Sequence, residues 1–245
     1  MAELPDWQPL DGAAPPISAA VDGVGRVVAV VATERAVADG WAPSAALDLA
    51  RGWSAQGARV MLIDCGLDGP TLHLTAGVPN REGLTDATFH GASVARVARP
   101  LDEGAFYLVT GGSPVADAAS VARSPRWHRL SSGMTEAGVT VALYVRAGDA
   151  CAASFLGSAS DIVVLAARGE PAPGVIRDLE PLVRGVTAPA DAAGPEATRP
   201  SRAGPRRSAV RPRAGSSGAG RMIVFVILAV VVAALLGVAL TSVLR

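Results

Sequence analysis

Asp64 is the residue of this chain best placed to do chemistry. It closes the apolar run Val60-Met61-Leu62-Ile63, and an acid at the end of a buried strand can hold magnesium or orient a water. Arg35, just beyond the first valine-rich run, offers an anion contact. His73, His90 and His128 show no metal-ligand spacing, so zinc chemistry is not expected. Ser113 and Ser124 have no His/Asp relay in sequence, which argues against serine-hydrolase chemistry. Cys65 and Cys151 are too few for a disulfide framework and read as small buried thiols in a reducing compartment. All 22 basic residues are arginine. With no lysine, Schiff-base catalysis and a phosphate-gripping P-loop lysine are both excluded.

The elements that must position these groups alternate. Val27, Val28, Val30 and Val31 make a nearly continuous β-branched run, as expected of a parallel strand covered on both faces. A helix is predicted over Ser44–Gln56, with Pro43 near its first turn and Gly57 at its end. Arg59–Asp64 reads as a second buried strand, and Phe106–Thr110, Val139–Val145 and Ile162–Ala166 as further strands. Helical material is predicted around Val115–Val121, Trp127–Ala137 and Val175–Val183. Alternating strands and helices of this length imply an α/β fold, a mostly parallel sheet flanked by helices. Ligands of such sheets bind beyond the carboxyl ends of strands, which directs attention to the loops after Val31 and Asp64.

Gly57-Ala-Arg-Val-Met-Leu-Ile-Asp64, followed by Leu67, Pro70, Thr71, Leu72 and His73, resembles the second nucleotide motif of the bacterial tyrosine kinases of capsular and exopolysaccharide synthesis, relatives of the ParA/MinD ATPases. Gly77-Val-Pro-Asn80 with Gly83-Leu84, then Gly111-Gly112-Ser113-Pro114 and Ser124-Pro-Arg-Trp127, resemble later stretches of that family in order and spacing. The resemblance runs from Arg26 to about Glu170 and implies a P-loop NTPase-like fold.

In that family a glycine-rich loop cradles phosphate, a lysine reaches the terminal phosphates, and a Ser or Thr holds magnesium. Aligned from Asp64, the Gly-Lys-Ser/Thr triplet falls on Trp41-Ala42-Pro43, with Gly40 and Ser44 beside it. Alanine brings no charge, proline no N–H, and tryptophan crowds a loop that needs close backbone approach. Gly66 stands where the family has its second carboxylate. The strand that should end in a Walker B acid ends in Arg146, with Asp149 further on. Tyr107 and Tyr144 lie inside predicted strands, so the family's terminal tyrosine cluster has no counterpart here. The resemblance therefore implies a degenerate nucleotide site at Gly40, Trp41, Ala42, Pro43, Ser44 and Asp64. It implies no catalytic residues, no cofactor, and at most residual binding of ATP and magnesium. Two readings of Trp41 stay open, a plug in the phosphate site or ordinary packing of an indole. Asp64 is either a magnesium ligand or a strand-end acid satisfied by local amides.

Residues 222–244 form 23 consecutive positions without a charge, between Arg221 and Arg245. As a helix they would span about 35 Å, enough for a hydrocarbon core, and a single transmembrane helix is expected. Residues 197–221 hold seven arginines among Pro, Gly and Ser, the composition of a linker. Those arginines place the preceding domain in the cytoplasm, at the bacterial inner membrane, and can meet anionic lipid. The net charge of zero conceals a −7 balance over residues 1–195 and a +7 balance over 196–245. The acidic body argues against nucleic acid as a partner.

The expected organisation is a flexible lead-in over 1–24, a domain over 25–190, a linker over 191–221 and the span over 222–244. The expected function is a membrane-tethered, catalytically inactive pseudo-kinase that scaffolds or regulates exopolysaccharide or capsule production. Its expected partner is an active homologue or a polysaccharide chain-length regulator. The competing expectation is a divergent ATPase or tyrosine kinase that uses arginine in place of lysine.

Overall fold

The computed structural model describes residues 5–10, 14–18 and 22–192. The apolar run 222–244 and the arginine-rich segment before it lie outside these residues. Among the described residues no helix is long and apolar enough to cross a membrane.

Eight strands make one sheet: β1 (Trp7–Pro9), β2 (Val27–Ala32), β3 (Arg59–Asp64), β4 (Ala98–Leu101), β5 (Phe106–Val109), β6 (Val139–Arg146), β7 (Asp161–Leu165) and β8 (Val183–Ala188). Their order is β1-β8-β7-β2-β6-β3-β5-β4. Every neighbouring pair is parallel except β4 on β5. The centre is β2, bonded to β6 on one side and β7 on the other. Its run Val-Val-Ala-Val-Val-Ala is buried beyond Val27, because both faces are covered.

Alternation along the strands divides the core. Val28 and Val30 of β2, Leu62 of β3 and Ala142 and Tyr144 of β6 pack with Trp53 and Leu49 of helix α2 (Ala42–Ala55), which follows the one-turn helix α1 (Glu34–Ala38). Met61, Ile63, Val141 and Leu143 face the other way, against Trp127, Met134 and Phe155. Helix α3 (Leu72–Ala76) lies on the α2 side, with Leu72 in the same cluster as Trp53. The opposite layer is built from α4 (Leu84–Phe89), α5 (Val94–Val97), α6 (Ala118–Arg123), α7 (Pro125–Glu136) and α8 (Ala152–Leu156), of which α4, α6, α7 and α8 supply most of the buried side chains. Trp127 meets Phe155 edge to face at 6.0 Å.

Two regions differ from expectation. The segment expected as a mobile lead-in contributes β1, which extends the sheet beside β8, and a strap bound to the domain. Trp53 donates its indole N–H to the Pro15 carbonyl at 2.9 Å, and Ser18 donates its amide and hydroxyl to Asp161 at 2.9 and 2.8 Å. The stretch 175–183, expected as helix, is instead two 3-10 turns, Gly174–Ile176 and Glu180–Leu182, leading into β8. Pro173 precedes the first turn, and Pro181, inside the second, offers no N–H to an α-helical ladder. Elsewhere the shifts are small: α6 begins only at Ala118, where Asp117 caps it by accepting from Ala119 and Ser120.

Candidate functional site

The carboxyl ends of β2, β3 and β6 converge, and three segments leave from there. The first is the turn from β2 into α2. Thr33 accepts the Ala36 amide on its hydroxyl at 3.2 Å and starts α1. Val37 donates to the Thr33 carbonyl, Asp39 to Arg35 and Gly40 to Val37, at 3.1, 2.8 and 3.1 Å. These amides are engaged within the turn itself. Arg35 pairs with Asp39 one turn on, at 3.5 Å.

Gly40 has φ +79, a left-handed conformation that glycine adopts readily and that turns the chain into α2. Trp41 is the residue preceding α2; it is half-buried and packs on the core beneath that helix. Ala42 and Pro43 are buried in the first turn of α2, and Ser44 is exposed.

The second segment follows β3. Asp64 is fully buried. Its Oδ1 accepts from the Gly66 amide at 3.1 Å, and its Oδ2 from the amides of Thr71 and Leu72 at 3.0 and 2.9 Å. Burial pushes its pKa up, against the pull of these three amides and the charge of Arg146. Of the two readings of Asp64, this geometry is that of an acid satisfied by its own loop.

The third segment follows β6. Arg146 continues the alternation of Ala142 and Tyr144 and lies across the loop after β3. Its Nε donates to Asp149 Oδ2 at 2.9 Å and its Nη1 to the Gly69 carbonyl at 3.0 Å. A Cβ on Gly66 would sit 3.0 Å from Arg146 Nε and 3.2 Å from Asp64 Oδ1, so the guanidinium fills the space a side chain at 66 would need. Burial alone would lower the Arg146 pKa; Asp149 and Asp64 more than offset that and raise it. Asp149 is raised by burial, with Arg146 opposing.

The remaining groups are quiet. Tyr144 is buried and its pKa is pushed up to about 12, chiefly by burial. Its hydroxyl lies beside that of Thr71, yet neither makes a well-formed hydrogen bond. Burial raises Cys65 well above the ordinary thiol range, with the Asp64 charge adding to it. Cys151 rises to about 11, again chiefly through burial. Among the described residues no group of three or more His, Cys, Asp or Glu is placed to hold a metal. The structure therefore gathers Asp64, Gly66, Gly69, Arg146 and Asp149 into one cluster. The hydrogen bonds of the turn through 33–40 close on that turn, on β7 and on itself. Sequence reasoning missed the active part played by Arg146. The available signal was a charged residue ending an otherwise apolar strand, with an acid three residues on.

No protein-family model and no curated protein matches the chain. Solved structures do. The kinase domain of the Escherichia coli tyrosine kinase ETK superposes with a TM-score of 0.58 at 15% identity, over 76% of this chain and 75% of that one. The fold is that of the bacterial tyrosine-kinase domains. The chimerical protein CapA2B2 gives a TM-score of 0.57 at 14% identity, over 68% and 76% of the two chains. The BceF tyrosine kinase domain gives 0.52 at 17%, over 67% and 69%. At these identities it is the architecture that is shared, in agreement with the P-loop NTPase-like sheet expected from the sequence.

Proposed function

We propose that this chain is a ligand-independent scaffold or regulator of a tyrosine-kinase system in exopolysaccharide or capsule production, tethered to the membrane through residues 222–244. The observation that carries this reading is the turn after β2. A phosphate cradle needs backbone amides aimed at the ligand and a cation to meet the terminal phosphates. Here the amides of Ala36, Val37, Asp39 and Gly40 are bonded inside the turn, and alanine and proline occupy the positions aligned with the lysine and the hydroxyl residue. At Asp64 both carboxylate oxygens are occupied by loop amides. These residues do not fit a magnesium nucleotide, and no catalytic step is drawn through one. Function then resides in surfaces, and the partner best matched to the fold is an active kinase of the same architecture or the regulator that works with it.

The test is binding by the purified full chain in detergent. Millimolar ATP with magnesium is expected to leave its thermal midpoint unmoved and to give no saturable heat in titration. Saturable binding that disappears in Asp64→Asn overturns the reading and favours the divergent-ATPase alternative. In cells, deletion of 222–244 is expected to remove membrane location and polymer phenotype together.

A further inference from the structure

Arg146 joins two loops that are distant in sequence. Its Nη1 reaches the Gly69 carbonyl, 77 residues away, while its Nε holds Asp149 in its own loop. The same two loops meet again where the Cys151 thiol donates to the Cys65 carbonyl at 3.6 Å. Side-chain exposure is 17% for Arg146 and 13% for Asp149, whereas the ion pairs elsewhere on the domain involve a partner at least 39% exposed. A half-buried pair is screened far less than those. The planar fork of arginine also fixes the directions in which one cation meets a carboxylate and a carbonyl, a geometry that the freely rotating ammonium of lysine does not impose. A Cβ at residue 66 would crowd the fork, at 3.0 Å from Arg146 Nε.

We propose that Arg146 is a built-in cation that latches the loop after β3 to the loop after β6, doing for these strand ends what a bound ion would do. This deepens the scaffold reading and rests on it, since it takes the strand ends to be closed without any ligand. The latch makes the surface formed by residues 68–71 and 147–150 a constant feature, available to a partner at all times.

The experiment is chemical rescue. Arg146→Ala is expected to lower the thermal midpoint of the purified full chain by roughly 5 °C or more, the effect of leaving a half-buried acid unpaired. Amide exchange is expected to rise by roughly tenfold in both loops together. Guanidinium chloride at about 10 mM is expected to recover at least half of the lost midpoint, whereas sodium chloride at equal ionic strength is not. The wild type is expected to respond to neither salt. Arg146→Lys, which keeps the charge and loses the fork, is expected to fall between wild type and Arg146→Ala. Equal responses to guanidinium and sodium, or faster exchange in one loop only, overturn the latch. If Arg146→Ala does not fold, Asp149→Asn replaces it. Faster exchange across 66–72 in that variant then supports the latch, and wild-type protection there overturns it. A wild-type midpoint raised by magnesium and ATP overturns the scaffold reading instead, whatever the rescue result.

Discussion

Asp161→Ala is expected to loosen the amino-terminal strap at Ser18 in an otherwise intact domain, with β1 and Pro15 still bound. Asp161 begins β7, is fully buried, and accepts three hydrogen bonds: from the Ser18 amide at 2.9 Å, the Ser18 hydroxyl at 2.8 Å and Arg184 Nε at 2.6 Å. The two Ser18 bonds are only partly buried, which discounts them from the roughly 1.5–3 kcal/mol of a bond to a charged group to about 1 kcal/mol each. Arg184 is 39% exposed, so its ion pair is discounted for solvent screening to about 0.5–1 kcal/mol. The loss is therefore about 3 kcal/mol, or a midpoint roughly 6–12 °C lower for a chain of this size.

Calorimetry of the full chain measures that shift. Limited proteolysis should cleave near Ser18 well before the rest of the domain is cut. The pH dependence has a definite sign. Burial pushes the Asp161 carboxyl up, but Arg184 and Ser18 outweigh it and hold it below 3.8. A carboxylate lowered on folding stabilises the protein above its unfolded value and loses that contribution as pH falls through its folded value. The difference between wild type and Asp161→Ala is thus full near neutrality and narrows below about pH 3.8. A midpoint within about 2 °C of wild type at pH 7, or a gap that widens in acid, would refute the reasoning.

Three other expectations follow from single side chains. Tyr144→Phe removes a buried hydroxyl that lacks a well-formed hydrogen bond, so stability is expected to hold or to rise by about 0.5–1 kcal/mol in denaturant titration. Trp53→Ala, at a fully buried indole that also holds the Pro15 carbonyl, is expected to cost about 3–5 kcal/mol by the same titration. Both thiols are buried and raised in pKa, so a maleimide at pH 7 should label neither Cys65 nor Cys151 until the chain unfolds; rapid native labelling would contradict the packing around them.

Legibility followed the locality of the forces. Strands β2, β3, β5, β6 and β7 show as β-branched or apolar runs because each is buried on both faces, and α2 shows through Pro43 and Gly57 at its ends. Strand β1 does not show: Trp7-Gln8-Pro9 is three residues long, and its existence depends on pairing with Val186, Thr187 and Ala188 at the far end of the domain. The strap is hidden for the same reason, since Ser18 and Asp161 are 143 residues apart. In the candidate site the departures of 41–43 and 66 from the motif they resemble could be read from residue types. The pairing of Arg146 with Asp149 left a local signal, but its bond to the Gly69 carbonyl, 77 residues away, left none.

Gly66 and Arg146 form an interlocked pair with a consequence for descent. Any side chain introduced at 66 while the guanidinium is present meets it at about van der Waals contact or closer. Changing Arg146 first strands Asp149 and the Gly69 carbonyl without their partner. A single change at either position is therefore expected to cost stability. Selection for stability alone would keep the two residues together through descent.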